Sequence, residues 1–92
     1  MDNWDFINSN HWYQANPEQI VFDGYFNEIR CLFGVSVSAL NDLYNSEDSR
    51  ASALVNFEEN TDYFYELAVQ AAEGYELDDE DEEIPPFFLI VL

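Results

Sequence analysis

The stretch IVFDGYFNEIRCLFGV, residues 20–35, constrains the fold more than any other part of the chain. Side chains alternate between the two faces of a strand, so a hairpin register can be tested on the sequence alone. With a two-residue turn at Asn27 and Glu28, Ile20 faces Val35, Phe22 faces Phe33, Gly24 faces Cys31 and Phe26 faces Ile29. These eight residues then share one side. Val21, Asp23, Tyr25, Arg30, Leu32 and Gly34 share the other. The product is an amphipathic antiparallel pair with one face for a core, although Asn-Glu is not the Asn-Gly that such turns favour.

The rest of the chain supplies what could cover that face. Ser36 or Ser38 can cap a short helix, SALNDLYN. Ser46 or Ser49 can cap a longer one that runs to about Glu73 and stops at Gly74. Leu54, Phe57, Thr61, Phe64, Ala68 and Ala71 recur at intervals of three and four and form its core stripe, with Glu59-Asn60-Thr61 as an alternative break. After Pro85 and Pro86, which hold the chain extended, the run FFLIVL reads as a strand over 87–92 buried on both faces. The first residues carry Trp4, Phe6, Trp12 and Tyr13 and read as an arm that folds back with a short strand.

The expected fold is α+β: a small antiparallel sheet, made of hairpin 20–35 plus C-terminal strand 87–92, packed on one long and one short helix. A chain of 92 residues is one domain with one modest core. Its parts are an N-terminal arm, 1–18, and an acidic connecting segment, 76–86.

The hairpin IVFDGYFNEIRCLFGVS, then ALNDL, then FEENTDYFYELA in a helix, then a short terminal strand, resembles the small bacterial family called domain of unknown function 1488. The resemblance covers roughly residues 12–92 and implies a compact α+β domain with a small sheet packed on helices. It implies no activity. The chain departs from the family by lacking the basic residues common on its helix.

Charge is the feature that bears on function. Hydrophobic residues make up 48% of the chain and aromatics 17%, too apolar for a disordered acidic tail. Yet there are 20 Asp plus Glu, no Lys, and only Arg30 and Arg50, for a net charge of −18. Ordinary domains mix both signs, and such an imbalance strains the compact state by self-repulsion. Direct binding to nucleic acid or anionic lipid needs the missing Lys and Arg. The natural partner of this surface is a basic one.

The acidic residues fall into two arrays. On a helical wheel Glu58, Asp62, Glu66 and Glu73 lie on one side with Glu59 close by, opposite the core stripe. Members four residues apart are separated by about 6 Å along a helix, close to the spacing of successive phosphates on one strand. The second array is Glu76, Asp78, Asp79, Glu80, Asp81, Glu82 and Glu83. The apolar strand that follows would anchor it, and a fixed array binds with less ordering cost than a loose one. Tyr63, Tyr65 and Tyr75 are candidate aromatic contacts.

The leading expectation is therefore a phage-encoded DNA mimic. It would occlude the nucleic-acid-binding groove of a bacterial defence protein, a CRISPR effector or a restriction enzyme, in the manner of anti-CRISPR and anti-restriction inhibitors. One alternative is an immunity protein that blocks a basic nuclease toxin. Another is a housekeeping structural or interaction domain whose acidity is a solvated face and a loop. Under the leading reading the partner is a basic nucleic-acid-binding protein rather than nucleic acid or membrane, and the chain is a monomer or homodimer.

Nothing in the sequence points to an enzyme, a cofactor or a metal. His11 is the only histidine, and Cys31, its conceivable partner in a nucleophile–base dyad, falls on the core face. The acidic run lacks the glycine and spacing of a helix–loop–helix calcium site. A single cysteine permits no internal disulfide, MDNWDFINSN lacks the charged and apolar regions of a secretory signal, and FFLIVL is far short of the roughly 20 residues of a membrane span. The expected location is the cytoplasm of the bacterial host cell.

Overall fold

Two consecutive residues with positive φ, Asn27 at 47° and Glu28 at 72°, turn the chain between its two longest strands. Positive φ at both central positions gives a type I′ turn, whose twist matches that of the strands it joins. The computed structural model describes residues 4–73 and 85–92. In it β3 (Gln19–Phe26) and β4 (Ile29–Ser36) pair antiparallel in the register expected from the sequence, with Ile20 opposite Val35, Phe22 opposite Phe33, Gly24 opposite Cys31 and Phe26 opposite Ile29. Ile20, Phe22, Cys31, Phe33 and Val35 are wholly buried.

The N-terminal arm folds back as expected, but in two pieces. The strands β1 (Trp4–Asp5) and β2 (His11–Gln14) both pair antiparallel with β3, one at each end of it. Between them Phe6 enters the core. Its ring lies where a Cβ at Gly24 would be, so glycine is required there by close approach. Asp23, buried within β3, holds the β1–β2 connection in place. Its Oδ1 accepts the Asn10 N–H at 2.8 Å, and its backbone carbonyl accepts the Ser9 hydroxyl at 2.6 Å.

Three helices cover the apolar face of the sheet: α1 (Val37–Leu43), α2 (Arg50–Glu59) and α3 (Thr61–Ala72). Ser36 caps α1 through the Ala39 N–H, and Ser49 caps α2 through the Ser52 N–H. The expected long helix is thus two helices. Asn60, at φ −132°, leaves the helical region, and its side-chain amide donates to the Asn56 carbonyl at 2.8 Å. Such local side-chain bonds compete with a continuous helix. Deeper in the same corner Asn41, fully buried, donates to Ser49 O and accepts from Asn56, which also donates to Ser46 Oγ. A satisfied polar network of this kind fixes how α1 and α2 meet.

Splitting the helix shifts the buried stripe. Ala53, Phe57, Phe64, Ala68 and Ala72 are buried. Thr61 becomes the first residue of α3, and Ala71 is exposed. The aromatic core runs from Phe64 through Phe57 and Phe22 to Phe33, with successive centroids 5.4, 5.0 and 5.3 Å apart.

The fifth strand, β5 (Phe87–Ile90), pairs with β4 in parallel, Leu32 opposite Phe87 and Val35 opposite Ile90. The sheet is therefore mixed rather than antiparallel. Parallel neighbours need a long crossover rather than a tight turn, and the connection from β4 to β5, which includes three helices, is long enough to be one. The strand is also shorter than 87–92 and not buried on both faces. It lies at the end of the order β1-β3-β4-β5, where Ile90 is buried but Phe87 and Leu89 are exposed. Among the described residues no helix is long and apolar enough to cross a membrane.

Candidate acidic interaction surface

The helical layer carries most of the exposed carboxylates, and the break at Asn60 determines their layout. Glu58 and Glu59 end α2, whereas Asp62 and Glu66 belong to α3 and Glu73 is its C-cap. Glu58 is therefore not the first member of one straight row with Asp62 and Glu66. Asp62 and Glu66 do remain four apart on one helix, a rise of about 6 Å. All five are exposed.

Each has a distinct setting. Glu58 Oε2 lies 2.8 Å from His11 Nε2, which ties β2 to α2, and the His11 ring packs 5.1 Å from Phe57. Asp62 stands in the first turn of α3, where the helix dipole favours a negative charge by about 0.3–1 kcal/mol. On an uninterrupted helix Asp62 would only repel its neighbours, so the break turns a cost into a gain. Glu73 has the opposite setting, at a helix C-terminus with no basic residue in the last turn.

Tyr63 is exposed and meets Phe64 edge-on. Tyr65 is not available in that way. Its ring is stacked on Phe6, centroids 4.4 Å apart and planes within 8°, and it packs against the core. Position 65 flanks the buried stripe of Phe64, Ala68 and Ala72. Tyr75 and the acidic array Glu76, Asp78, Asp79, Glu80, Asp81, Glu82 and Glu83 lie outside the described residues.

Sequence reasoning passed over Asp42 in α1 and Glu47 and Asp48 in the α1–α2 connection, all exposed. Their signal was present: from Val37 to Glu73 the only cation is Arg50. Both arginines are engaged elsewhere. Arg30 contacts the buried Asp23, with Nε and Nη2 each 3.2 Å from Oδ2. Arg50 lies over the Tyr13 ring at 4.9 Å. Tyr13 in turn donates its hydroxyl to Glu18 at 2.9 Å, which raises the phenol's pKa. Every described carboxylate except Asp23 is exposed.

The conceivable nucleophile is buried. Burial pushes the Cys31 thiol up to about 11, so it stays protonated at neutral pH, and the thiol donates to the Ile29 carbonyl at 3.6 Å. Among the described residues no cluster of three or more His, Cys, Asp or Glu side chains could hold a metal ion. An open cleft of about 520 Å³ at the hairpin tip is lined by Asp5, Asn8, Tyr25, Asn27 and Glu28.

No known family model, curated protein or solved structure matches the chain.

Proposed function

We propose that this protein is an acidic inhibitor that enters the nucleic-acid-binding groove of a basic bacterial defence protein and excludes the polynucleotide. A CRISPR effector or a restriction enzyme is the target class, and a phage or mobile element is the source. The observation that carries this reading is the state of the charges. The described carboxylates other than Asp23 are exposed, while Arg30 and Arg50 are held by Asp23 and Tyr13. Eleven described carboxylates therefore face solvent with almost no local compensation.

The mechanism is competitive. Lys and Arg that line the target groove release their bound anions to solvent and pair with Asp62, Glu66, Glu58, Glu59 and Glu73 as they would with phosphates. A scaffold of packed helices keeps the array ordered before contact. Tyr63 supplies an aromatic contact beside it.

Affinity capture from a bacterial lysate at low and high salt tests this. The expected result is a basic nucleic-acid-binding protein retained at low salt, released by salt, and displaced by polynucleotide. Retention that is equal in both salts, or that polynucleotide leaves untouched, overturns the reading. Retention of a single small nuclease toxin assigns the chain to immunity instead.

A further inference from the structure

Among the described residues only one edge of β5 is paired. In a parallel ladder, alternate residues of a strand turn their backbone groups toward the same neighbour. Leu32 lies opposite Phe87 and donates its N–H to Pro86 O at 2.8 Å, so residues 86, 88 and 90 address β4. Phe87 and Leu89 therefore turn their N–H and C=O groups to the open edge. Their side chains are open as well, Phe87 at 46% and Leu89 at 60%, followed by Val91 at 83% and Leu92 at 42%.

Natural sheet edges are guarded by lysine, inward charge, bulges or a covering element. The run FFLIVL contains no charged side chain and no proline. The carboxylates Asp42, Glu58, Glu59, Asp62, Glu66 and Glu73 belong to the helical layer on the opposite face from Phe87 and Leu89.

We propose that the β5 edge pairs with the same edge of a second copy, antiparallel about a two-fold axis at Leu89, to join the two sheets. Antiparallel pairing sets residues of one face against residues of the same face. Leu89 then opposes Leu89 of the second copy, and Phe87 opposes its Val91. All of these present their backbone groups outward, so they form hydrogen-bonded pairs. Phe88 and Ile90 keep their core-side positions opposite Phe33 and Val35.

A second copy fits this edge better than a basic strand does. A Lys- or Arg-rich segment finds no acidic side chain on FFLIVL and is drawn to the helical layer. An uncharged strand matches an uncharged edge, and the chain carries one in register with itself. The exposed parts of Phe87, Leu89, Val91 and Leu92 amount to on the order of 400 Å² per copy, about half of a standard interface side. The dimer is accordingly weak. The two-fold axis also brings both α3 helices, which pack over β5, to the same side of the joined sheet with their carboxylates. Screening that repulsion favours association.

Sedimentation velocity from about 10 μM to 1 mM protein, in 50 mM and 500 mM salt, tests the proposal. Dimerisation is expected to tighten roughly tenfold with salt. This is opposite in sign to the capture of a basic target, so the two readings fail independently. Leu89→Lys should give a folded monomer, whereas Val55→Lys, at an exposed apolar position on α2, should leave the dimer intact. Leu89→Cys should cross-link on oxidation, because directly opposed strand residues lie about 5.5 Å apart at Cα, within disulfide reach. A monomer throughout, a dimer that persists in Leu89→Lys, or no cross-link in Leu89→Cys overturns it. So does a monomer whose Phe87 and Leu89 amide resonances move only when a lysine-rich peptide is added.

Discussion

Arg30 reaches across the β3–β4 pair to the buried carboxylate of Asp23, its Nη2 3.2 Å from Oδ2. One of the two cations in a chain of net charge −18 thus serves the interior of the sheet. Asp23 also receives the Asn10 N–H, so the pair fixes the arm that delivers Trp4 and Phe6 to the core.

Replacing Arg30 by Met should destabilise the fold by about 1–3 kcal/mol, because a buried carboxylate loses a charged partner. The lower end applies, since the guanidinium is nearly half exposed. Urea unfolding measures it. Asp23→Asn should soften the loss, making the double variant less unstable than the two single effects combined. Strict additivity would show that the contact carries no coupling.

Gly24 and Phe6 form a second coupled pair. Gly24→Ala places a methyl group in the Phe6 ring and should cost about 1–3 kcal/mol. In a Phe6→Ala background the atoms it would meet first are gone, and the same substitution should cost much less. Thermal unfolding of the four proteins of this cycle checks the contact. An unchanged cost in the two backgrounds would place the Phe6 ring elsewhere.

Cys31 gives a pH-dependent expectation. Its folded pKa, pushed up to about 11 by burial, lies above that of a thiol in the unfolded chain. The neutral thiol is therefore favoured by folding. Its contribution is fully present below about pH 8.5 and is lost as pH rises toward 11. Tyr44, raised by burial in the same direction, adds to the alkaline limb. At pH 8 a thiol reagent should label the native chain orders of magnitude more slowly than the urea-unfolded chain. Equal rates would mean that Cys31 is not enclosed.

The hairpin was legible because period-two alternation, one apolar face on each strand and the residue count of the turn leave one consistent register for Ile20 to Val35. Helical periodicity was legible too, but its phase was not. Whether Asn60 continues or breaks a helix depends on a side-chain bond to Asn56 that spacing does not encode. The direction of β5 was hidden for a different reason. A run of apolar residues does not encode its direction, and a connection as long as that through α1, α2 and α3 permits a parallel return beside β4. Among the candidate contacts, Tyr65 misled because tyrosine suits both an interface and a core. Phe6, from a distant arm, decides between them.

The same break separates two carboxylates that the sequence made equivalent. Asp62 favours α3 through its position in the first turn, whereas Glu66 lies a turn further on, four residues from Asp62. Asp62→Asn loses that dipole gain of about 0.3–1 kcal/mol but relieves the like-charge pair with Glu66, so it should destabilise the free protein by less than about 1 kcal/mol. Glu66→Gln should stabilise it by about 0.2–0.5 kcal/mol at low salt, as a like-charge pair is removed. Raising the salt should shrink both differences and raise the melting temperature of the parent chain. Each substitution removes one anion from the face, so each should weaken retention of a basic target and lower its salt dependence by about one counterion. Thermal melts at two ionic strengths, paired with capture at the same salts, separate the effects. If Asp62→Asn and Glu66→Gln shift stability in the same direction, α2 and α3 behave as one helix. If neither changes retention, this face is not where the target binds.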